Sequence, residues 1–497
     1  MTKVELVIVP TPGMGHLLPM VEFAKLITET NPNISIIVTV YYMSMFKPSK
    51  IASYIESQSS QLDPTRITFI TLPPLENPPD PSDPSYFGTI IQLQNPLLKK
   101  VVQDRQSKPG AFILDPVNVS MIDVANELRV PSYIYFTAGV NLLDTMFHFQ
   151  ALVDAHGVDD ISGLLGDPDS ELDLPGFRNR VPVKVVPYMF LDKDTDWPKF
   201  IINLARRFRE AKGILVNSFT ELEFSTIEAL NKMDNIPTIY PVGPVLSLNN
   251  RGDAKPSNKD DLSCNVTDED AIISWLDGQP ESSVVFLCFG SMGCFDADQV
   301  KEIANGLDQS GHRFLWSLRK PVQVESLGNK AKPSENEIFE EALPEGFIDR
   351  TAHKGKIIPW APQVTVLAHK SIGGFVSHCG WNSILESLWF GVSIATWPMY
   401  SEQQLNAFTL VKEFELAVEI KLDYRCDFKT GNYLVTAEEV ELGVRNVMDL
   451  EEEMKTKVRK MSEKCRKGLE ADGGSSYDSL TRFIGEVTED DTATLGV

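Results

Sequence analysis

The chain has 497 residues, 42% of them hydrophobic and 23% charged, the composition of a soluble globular protein of about two to four domains. Its 46 Lys and Arg against 69 Asp and Glu leave a formal net charge of -23. A general nucleic-acid binder needs a basic footprint, and anionic lipid headgroups repel an acidic surface, so neither partner is expected.

The six cysteines, all between Cys264 and Cys465, form no CxxC pair, which argues against a zinc knuckle and against a secreted disulfide framework. Glu5, Pro10 and Pro12 interrupt any signal-peptide core, and no run reaches the roughly 18 apolar residues of a membrane span. The expectation is a cytoplasmic monomer.

In chain order, apolar runs rich in Val, Ile and Phe begin with Val4 to Val9, Ile34 to Tyr42, Ile67 to Leu72, Ala111 to Leu114, Tyr133 to Phe136 and Gly213 to Val216. A second series comprises Val284 to Phe289, Phe314 to Leu318, Lys356 to Pro359, Gly374 to Ser377 and Ile394 to Trp397. Such continuous hydrophobicity fits parallel strands buried on both faces. Amphipathic stretches lie between them: Leu18 to Thr28, Ile122 to Leu128, Asp298 to Leu307 and Ala437 to Met448. The alternation predicts an α/β protein with two doubly wound, Rossmann-like sheets.

The series restarts after a Pro/Asn/Asp-rich stretch from Asn235 to Asp270. The expected division is an N-terminal domain over 1–240, a linker over 241–270 and a C-terminal domain over 271–475. Lys320 to Glu345 reads as a surface loop, and Glu451 to Asp472 as a charged helix with a solvated face.

The first strand runs into Thr11–Pro12–Gly13–Met14–Gly15–His16 and then a helix, a turn that faces the cleft beyond the strand ends. A dinucleotide fingerprint is disfavoured, because Leu18 replaces its third small residue and Tyr41, Tyr42 and Met43 stand where an acid should close the second strand. His16 is either a plain helix-capping histidine or a general base working near neutral pH. A carboxylate on its other ring nitrogen would favour the second role. Asp115, ending the strand Ala111 to Leu114, is that candidate, although an Asp there also makes turns. Asp123, inside the next helix pattern, is the weaker competitor.

The densest cluster is in the second half: Trp360, Ala361 and Gln363; then His378, Trp381, Asn382 and Ser383; then Glu386, Glu402 and Gln403. A strand ending at Ser377–His378 opens a helix near Asn382, whose first amides and dipole suit a diphosphate without any lysine. His378 and Ser383 add donors, Glu386 can accept a ribose's hydroxyls, and Trp360 offers a flat face to a base. Singly these read as a core tryptophan, a helix cap or a solvated acid, but their joint occurrence makes that reading weak. Phe289 to Gly293, with Ser291, would present further amides to the same phosphates.

Trp360 to Gln403, a 44-residue stretch, resembles the signature box of plant secondary-product, or family-1, UDP-glycosyltransferases. The likeness extends from PTPGMGHLLP near the start to DGGSS near the end. It implies the GT-B fold, with two Rossmann-like domains, an acceptor pocket in the first and a UDP-sugar site in the second. It also implies a last helix, over 476–497, that returns to the first domain.

Carried over, His16 matches the family's base and Asp115 its partner. Trp360 matches the residue stacked on uracil, and the Ala361–Gln363 region the contact to base and ribose. Glu386 matches the ribose acceptor, while His378, Asn382, Ser383 and Ser291 surround the diphosphate. Trp381, Glu402 and Gln403 face the sugar. Glu402 stands where many members have Asp, and Ser393 replaces a usual Pro. Gln403 together with Trp381 is the pattern associated with glucose.

The resemblance implies an inverting, UDP-glucose-dependent O-glucosyltransferase, in which the acceptor oxygen attacks the anomeric carbon opposite UDP. No metal and no other cofactor are expected, since the Asp-x-Asp triplets at Asp167, Asp192 and Asp194 fall in polar loops. The acceptor pocket would draw on Met43 to Ser59, Ser85 to Gln94, Thr137 to Phe149 and Pro187 to Ile202. Their aromatic and aliphatic content favours a small hydrophobic acceptor such as a flavonoid, another phenolic or a terpenoid. The alternatives are another UDP-sugar, a glycoside hydrolase or a nucleotide-sugar binding protein without catalysis.

Overall fold

The computed structural model describes residues 3–43, 48–80, 86–105, 107–248, 266–323, 331–333, 337–426 and 434–494. The first sheet holds seven parallel strands: β1 (Val4–Val9), β2 (Ile34–Val40), β3 (Ile67–Thr71), β4 (Ala111–Leu114), β5 (Ser132–Phe136), β6 (Gly213–Val216) and β7 (Thr238–Pro241). Their spatial order is β3-β2-β1-β4-β5-β6-β7. The second sheet holds β8 (Val284–Cys288), β9 (Arg313–Ser317), β10 (Gly355–Ile358), β11 (Ile372–Ser377), β12 (Ser393–Thr396) and β13 (Ala417–Glu419), ordered β10-β9-β8-β11-β12-β13. Both orders reverse direction beside their first strand. The crevice therefore opens between the ends of β1 and β4 in one sheet, and of β8 and β11 in the other.

Register sharpens this placement. Val9 pairs with Leu114 and Cys288 with Ser377, so in each sheet the two strands flanking the crevice end side by side. Ala111 to Leu114 are wholly inaccessible, as expected of a strand covered on both faces by helices.

Two strands of these sheets escape the sequence reading. β7 lies inside the Asn235 to Asp270 stretch, and β13 is a three-residue edge strand. Burial of Ile239 and Tyr240 draws the first into the sheet despite the flanking prolines. Of the expected linker, Val242 and Val245 are buried, Asn217 grips the backbone of Val245 with its amide, and a helix begins at Val266. Residues 249–265 lie outside the described residues. Within Lys320 to Glu345, Pro321–Gln323 pairs antiparallel with Ala331–Pro333, and residues 324–330 and 334–336 also lie outside.

The helices that bear on the cleft are α1 (Met14–Thr30), α2 (Val140–His156), α3 (Thr220–Asn231), α4 (Trp381–Phe390), α5 (Glu452–Lys467) and α6 (Ser475–Thr494). Charged α5 is not solvated all round. Val458, Ser462 and Cys465 form a buried stripe, and α5 packs on α3 of the first domain as well as on α4. Helix α6 lies against α1, β1 and β7, burying Leu480, Phe483, Ile484 and Val487 among Val4, Leu6, Tyr133 and Tyr240. Residues 495–497 lie outside the described residues.

The two domains are also joined by polar contacts. The buried Glu413 carboxylate accepts the backbone N–H groups of Arg178 and Asn179, each at 2.9 Å, and the Asn179 side chain. Arg425 donates to the carbonyls of Lys184 and Val186 at 2.8 and 2.6 Å. Among the described residues no helix is long and apolar enough to cross a membrane.

Candidate active site

On the first-domain side, β1 leads into a tight turn in which the Gly13 N–H meets the Thr11 carbonyl at 2.8 Å, and α1 starts at Met14. His16 thus sits in the first turn of α1, above the crevice. Its Nδ1 lies 2.7 Å from Oδ2 of Asp115, which follows β4 next door. Asp115 is fully buried, and its other oxygen accepts the Thr11 hydroxyl at 2.7 Å and the Val117 N–H at 3.0 Å. Asp115 therefore caps the short 3-10 turn Pro116–Met121 and holds the imidazole with the same carboxylate. Asp123 is elsewhere, exposed and paired with half-buried Arg207 at 2.7 Å.

An ionised carboxylate only accepts, so Nδ1 carries the hydrogen and Nε2 is left free with a lone pair. Burial opposes protonation of His16. The charge and hydrogen bond of Asp115, with the charge of Glu402 from the second domain, outweigh it and raise the imidazole above its ordinary value. Over a third of the side chain still meets solvent, so a substrate can reach it.

On the opposite side, the turn from β11 into α4 takes a left-handed kink at Cys379 (φ 61°), which Asn406 braces through the Cys379 carbonyl at 3.0 Å. Helix α4 has Gly380 as its cap and no side chain on its first amides. Those amides stay available to a ligand, at the positive end of the dipole. His378 is 6% exposed, and Nδ1 has no hydrogen-bond partner among the described residues; the same holds for Oδ1 of Asn382. Burial, helped by the charge of Arg319 and opposed by a hydrogen bond to the Cys288 backbone, pushes His378 down to about 4, so the ring is neutral at pH 7.

One helical turn further, Gln363 donates to Ser383 Oγ at 2.8 Å and to Glu386 Oε2 at 2.7 Å. Burial pushes Glu386 up to about 7, against the pull of that Gln363 bond. Trp360, three residues before Gln363, has 44% of its surface exposed, a large flat ring open to solvent. Buried Ala361 adjoins it, while Ser291 is exposed on the turn after β8. Gln363, Ser383 and Glu386 thus form one hydrogen-bonded group, and the turn at Gly290 abuts His378.

Three residues expected to face a sugar are placed differently from one another. Glu402 lies close enough to act electrically on His16 across the cleft. Gln403 uses its side-chain carbonyl to accept the N–H groups of Met399 and Tyr400 at 3.0 and 3.1 Å, fixing the loop after β12. Trp381 is buried, with its indole N–H on the first domain's Asn217 carbonyl.

Sequence reasoning missed Arg319 and Asn217. Arg319 lies two residues beyond the end of β9, so a charge near a strand's C-terminal end was the available signal; Asn217, directly after β6, is uncharged and gave no such signal. The Asp-x-Asp triplets close on themselves, since Asp167 and Asp192 each accept the N–H two residues on, at 3.0 Å.

A family model described as "UDP-glucoronosyl and UDP-glucosyl transferase" matches residues 185–451. UDP-glucose flavonoid 3-O-glucosyltransferase 6 of Fragaria ananassa is 44% identical, with 97% of this chain and 98% of the relative covered. The crystal structure of Medicago truncatula UGT71G1 complexed with UDP-glucose is similar with a TM-score of 0.84 at 41% identity, covering 98% of each chain. A transferase from Siraitia grosvenorii in complex with UDP has a TM-score of 0.82, also at 41% identity, over 98% of this chain and 100% of the other.

Proposed function

Since the chain belongs to the plant family-1 UDP-glycosyltransferases, enzymes of the GT-B fold, we propose that it transfers glucose from UDP-glucose to a hydroxyl of a small hydrophobic plant metabolite. The observation that carries this reading is the opposition of two half-sites. His16 with Asp115 stands on one domain, and Trp360, Glu386 and the bare start of α4 stand on the other.

In this reading uracil stacks on Trp360 and the ribose hydroxyls are accepted by ionised Glu386 once Gln363 yields or shares it. The diphosphate lies on the α4 amides with His378, Asn382, Ser383 and Ser291. Nε2 of His16 takes the proton of the acceptor hydroxyl while Asp115 stabilises the imidazolium. The acceptor oxygen forms the new bond to the anomeric carbon as the bond to the UDP oxygen breaks, inverting configuration. Charge on departing UDP is met by preorganised amides, and no metal ion is assigned a part. Glu402, on the His16 side of the donor, is suited to the sugar's hydroxyls.

The acceptor would lie above His16, near Tyr86–Gln92, α2 and Trp197–Phe208. Phe87, Trp197 and Phe200 form an aromatic cluster there, with centroids 5.5–6.3 Å apart. Such a surface favours a flat phenolic, and the strawberry relative's name points to flavonoids. Of the other acceptor segments, residues 44–47 and 85 lie outside the described residues.

The test is UDP release from UDP-glucose with a panel of flavonols, hydroxycinnamates and terpenoid alcohols in EDTA, with product masses measured. A hexose added to one class supports the reading. Binding of UDP without turnover of any acceptor defeats it in favour of a binding protein, and UDP release without a glycosylated acceptor defeats it in favour of hydrolysis.

A further inference from the structure

Arg319 leaves β9 beside β8, where Leu287 pairs with Trp316, so it emerges next to the turn Phe289–Gly293. Its guanidinium donates to the carbonyl of Gly290 and, at 3.3 Å, to that of Ser291. Gly290 has φ 71°, and a Cβ there would sit 2.4 Å from Nε2 of His378, so the turn is pressed directly onto the histidine.

A trans peptide plane points its N–H opposite to its carbonyl. With the carbonyls of Gly290 and Ser291 drawn to Arg319, the N–H groups of Ser291 and Met292 face the other way. Both residues are exposed, and neither amide makes a hydrogen bond among the described residues. The half-buried guanidinium is also the cation felt by His378, Cys288, Cys294 and Tyr400. With His378 neutral, the remaining donors at this end of the crevice carry only partial charges.

We propose that Arg319 is a positioning residue for the donor's diphosphate: it holds the Gly290–Ser291 turn with its amides toward the phosphates and gives that end of the site its full positive charge. This rests on the donor-site reading above. Arg319 acts through the turn, and its charge bears on the phosphates but not on the nucleoside.

The experiment measures binding of uridine, UMP and UDP by calorimetry to the full chain and to its Arg319→Met and Arg319→Lys variants, at two salt concentrations. Arg319→Met is expected to weaken UDP on the order of tenfold, with a shallower salt dependence, while uridine stays within about twofold. Arg319→Lys keeps the charge without the two-carbonyl clasp and is expected to fall between. It carries the test by itself if the Met variant does not fold. UDP affinity within about twofold of the parent in either folded variant overturns the proposal, as does a parallel loss of uridine and UDP. A parent chain that binds neither uridine nor UDP overturns the donor-site reading instead, and the unmutated arm distinguishes that failure.

Discussion

The indole N–H of Trp381 donates to the backbone carbonyl of Asn217, 2.7 Å away, so the first residue of α4 is bonded to the loop that ends β6 in the other domain. The ring also lies against Gly139, where a Cβ would come within 2.8 Å of two indole carbons and 3.0 Å of the Glu223 carboxylate. Glu223 is itself committed to the amides of Val140 and Asn141, capping α2. One glycine thus allows α4 of the second domain, α2 of the first and the Glu223 that caps α2 to meet.

Gly139→Ala is therefore expected to displace the indole and separate the half-sites. Overpacking of this kind costs about 1–3 kcal/mol. The apparent melting temperature should fall by several degrees, and kcat should fall more than UDP affinity. An unchanged melting curve together with unchanged kcat would contradict this close approach.

The pH dependence follows from the His16–Asp115 pair. As the proposed base, His16 would work only when neutral, and its value is raised above 6.5, so the acid limb of kcat/KM should lie above pH 6.5. By linkage, the stability that the pair contributes is complete below about pH 6.5 and is lost as pH rises through the raised value. Asp115→Asn should move the acid limb downward and lower the plateau. His16→Ala should cut kcat by about 10²- to 10⁴-fold with UDP binding retained. Stopped rate assays from pH 5 to 9 decide it.

Glu386 is pushed up to about 7 by burial, and accepting two ribose hydroxyls requires its ionised form. UDP affinity should accordingly strengthen as pH rises from 6 to 8 and then level off. The sign for folding is the reverse: burial of the carboxylate is tolerated best while it is protonated, so this stability falls as pH rises through about 7. Glu386→Gln should flatten the binding profile, as read by calorimetry at each pH.

Trp360 presents an open ring, and base stacking on an aromatic is worth about 1–3 kcal/mol. Trp360→Ala should weaken uridine and UDP by similar factors, roughly 5- to 150-fold, without altering the fold. Equal loss for both ligands separates this change from that expected at Arg319, where uridine is spared.

Glu413 ties Arg178 and Asn179 to the second domain through hydrogen bonds to a buried carboxylate. Such bonds to a charged group are worth about 1.5–3 kcal/mol each, and removing the acceptor strands two backbone donors. Glu413→Ala should lower the midpoint of urea unfolding and speed proteolysis near Arg178, with little change in uridine affinity.

Much of this was legible in the chain. Strand-ending turns at His16, Asp115 and His378 could be read because a buried run followed by Gly, Asp or His marks where a parallel sheet opens to its crevice. β7 and β13 were not, since four- and three-residue edge strands have too few buried positions to show a period. Trp381 shows the other limit. Its neighbourhood in sequence said that it stood at a ligand-bearing helix start, but its partner Asn217 lies 164 residues away and no local pattern announces it. Arg319 offered only a charge near a strand's end, its role being set by carbonyls on a neighbouring strand's loop.

Helix α6 covers a face made by β1, β7 and α1, although it follows β7 by more than two hundred residues. During synthesis the seven strands of the first domain emerge early, yet Val4, Leu6, Tyr133 and Tyr240 wait for Leu480 and Phe483, more than two hundred residues later. The first domain is thus finished only after the second has been made. Expressed without residues 475–494, the first domain would carry an open apolar seam prone to aggregation, while the same twenty residues supplied as a separate peptide would be expected to dock there and restore solubility.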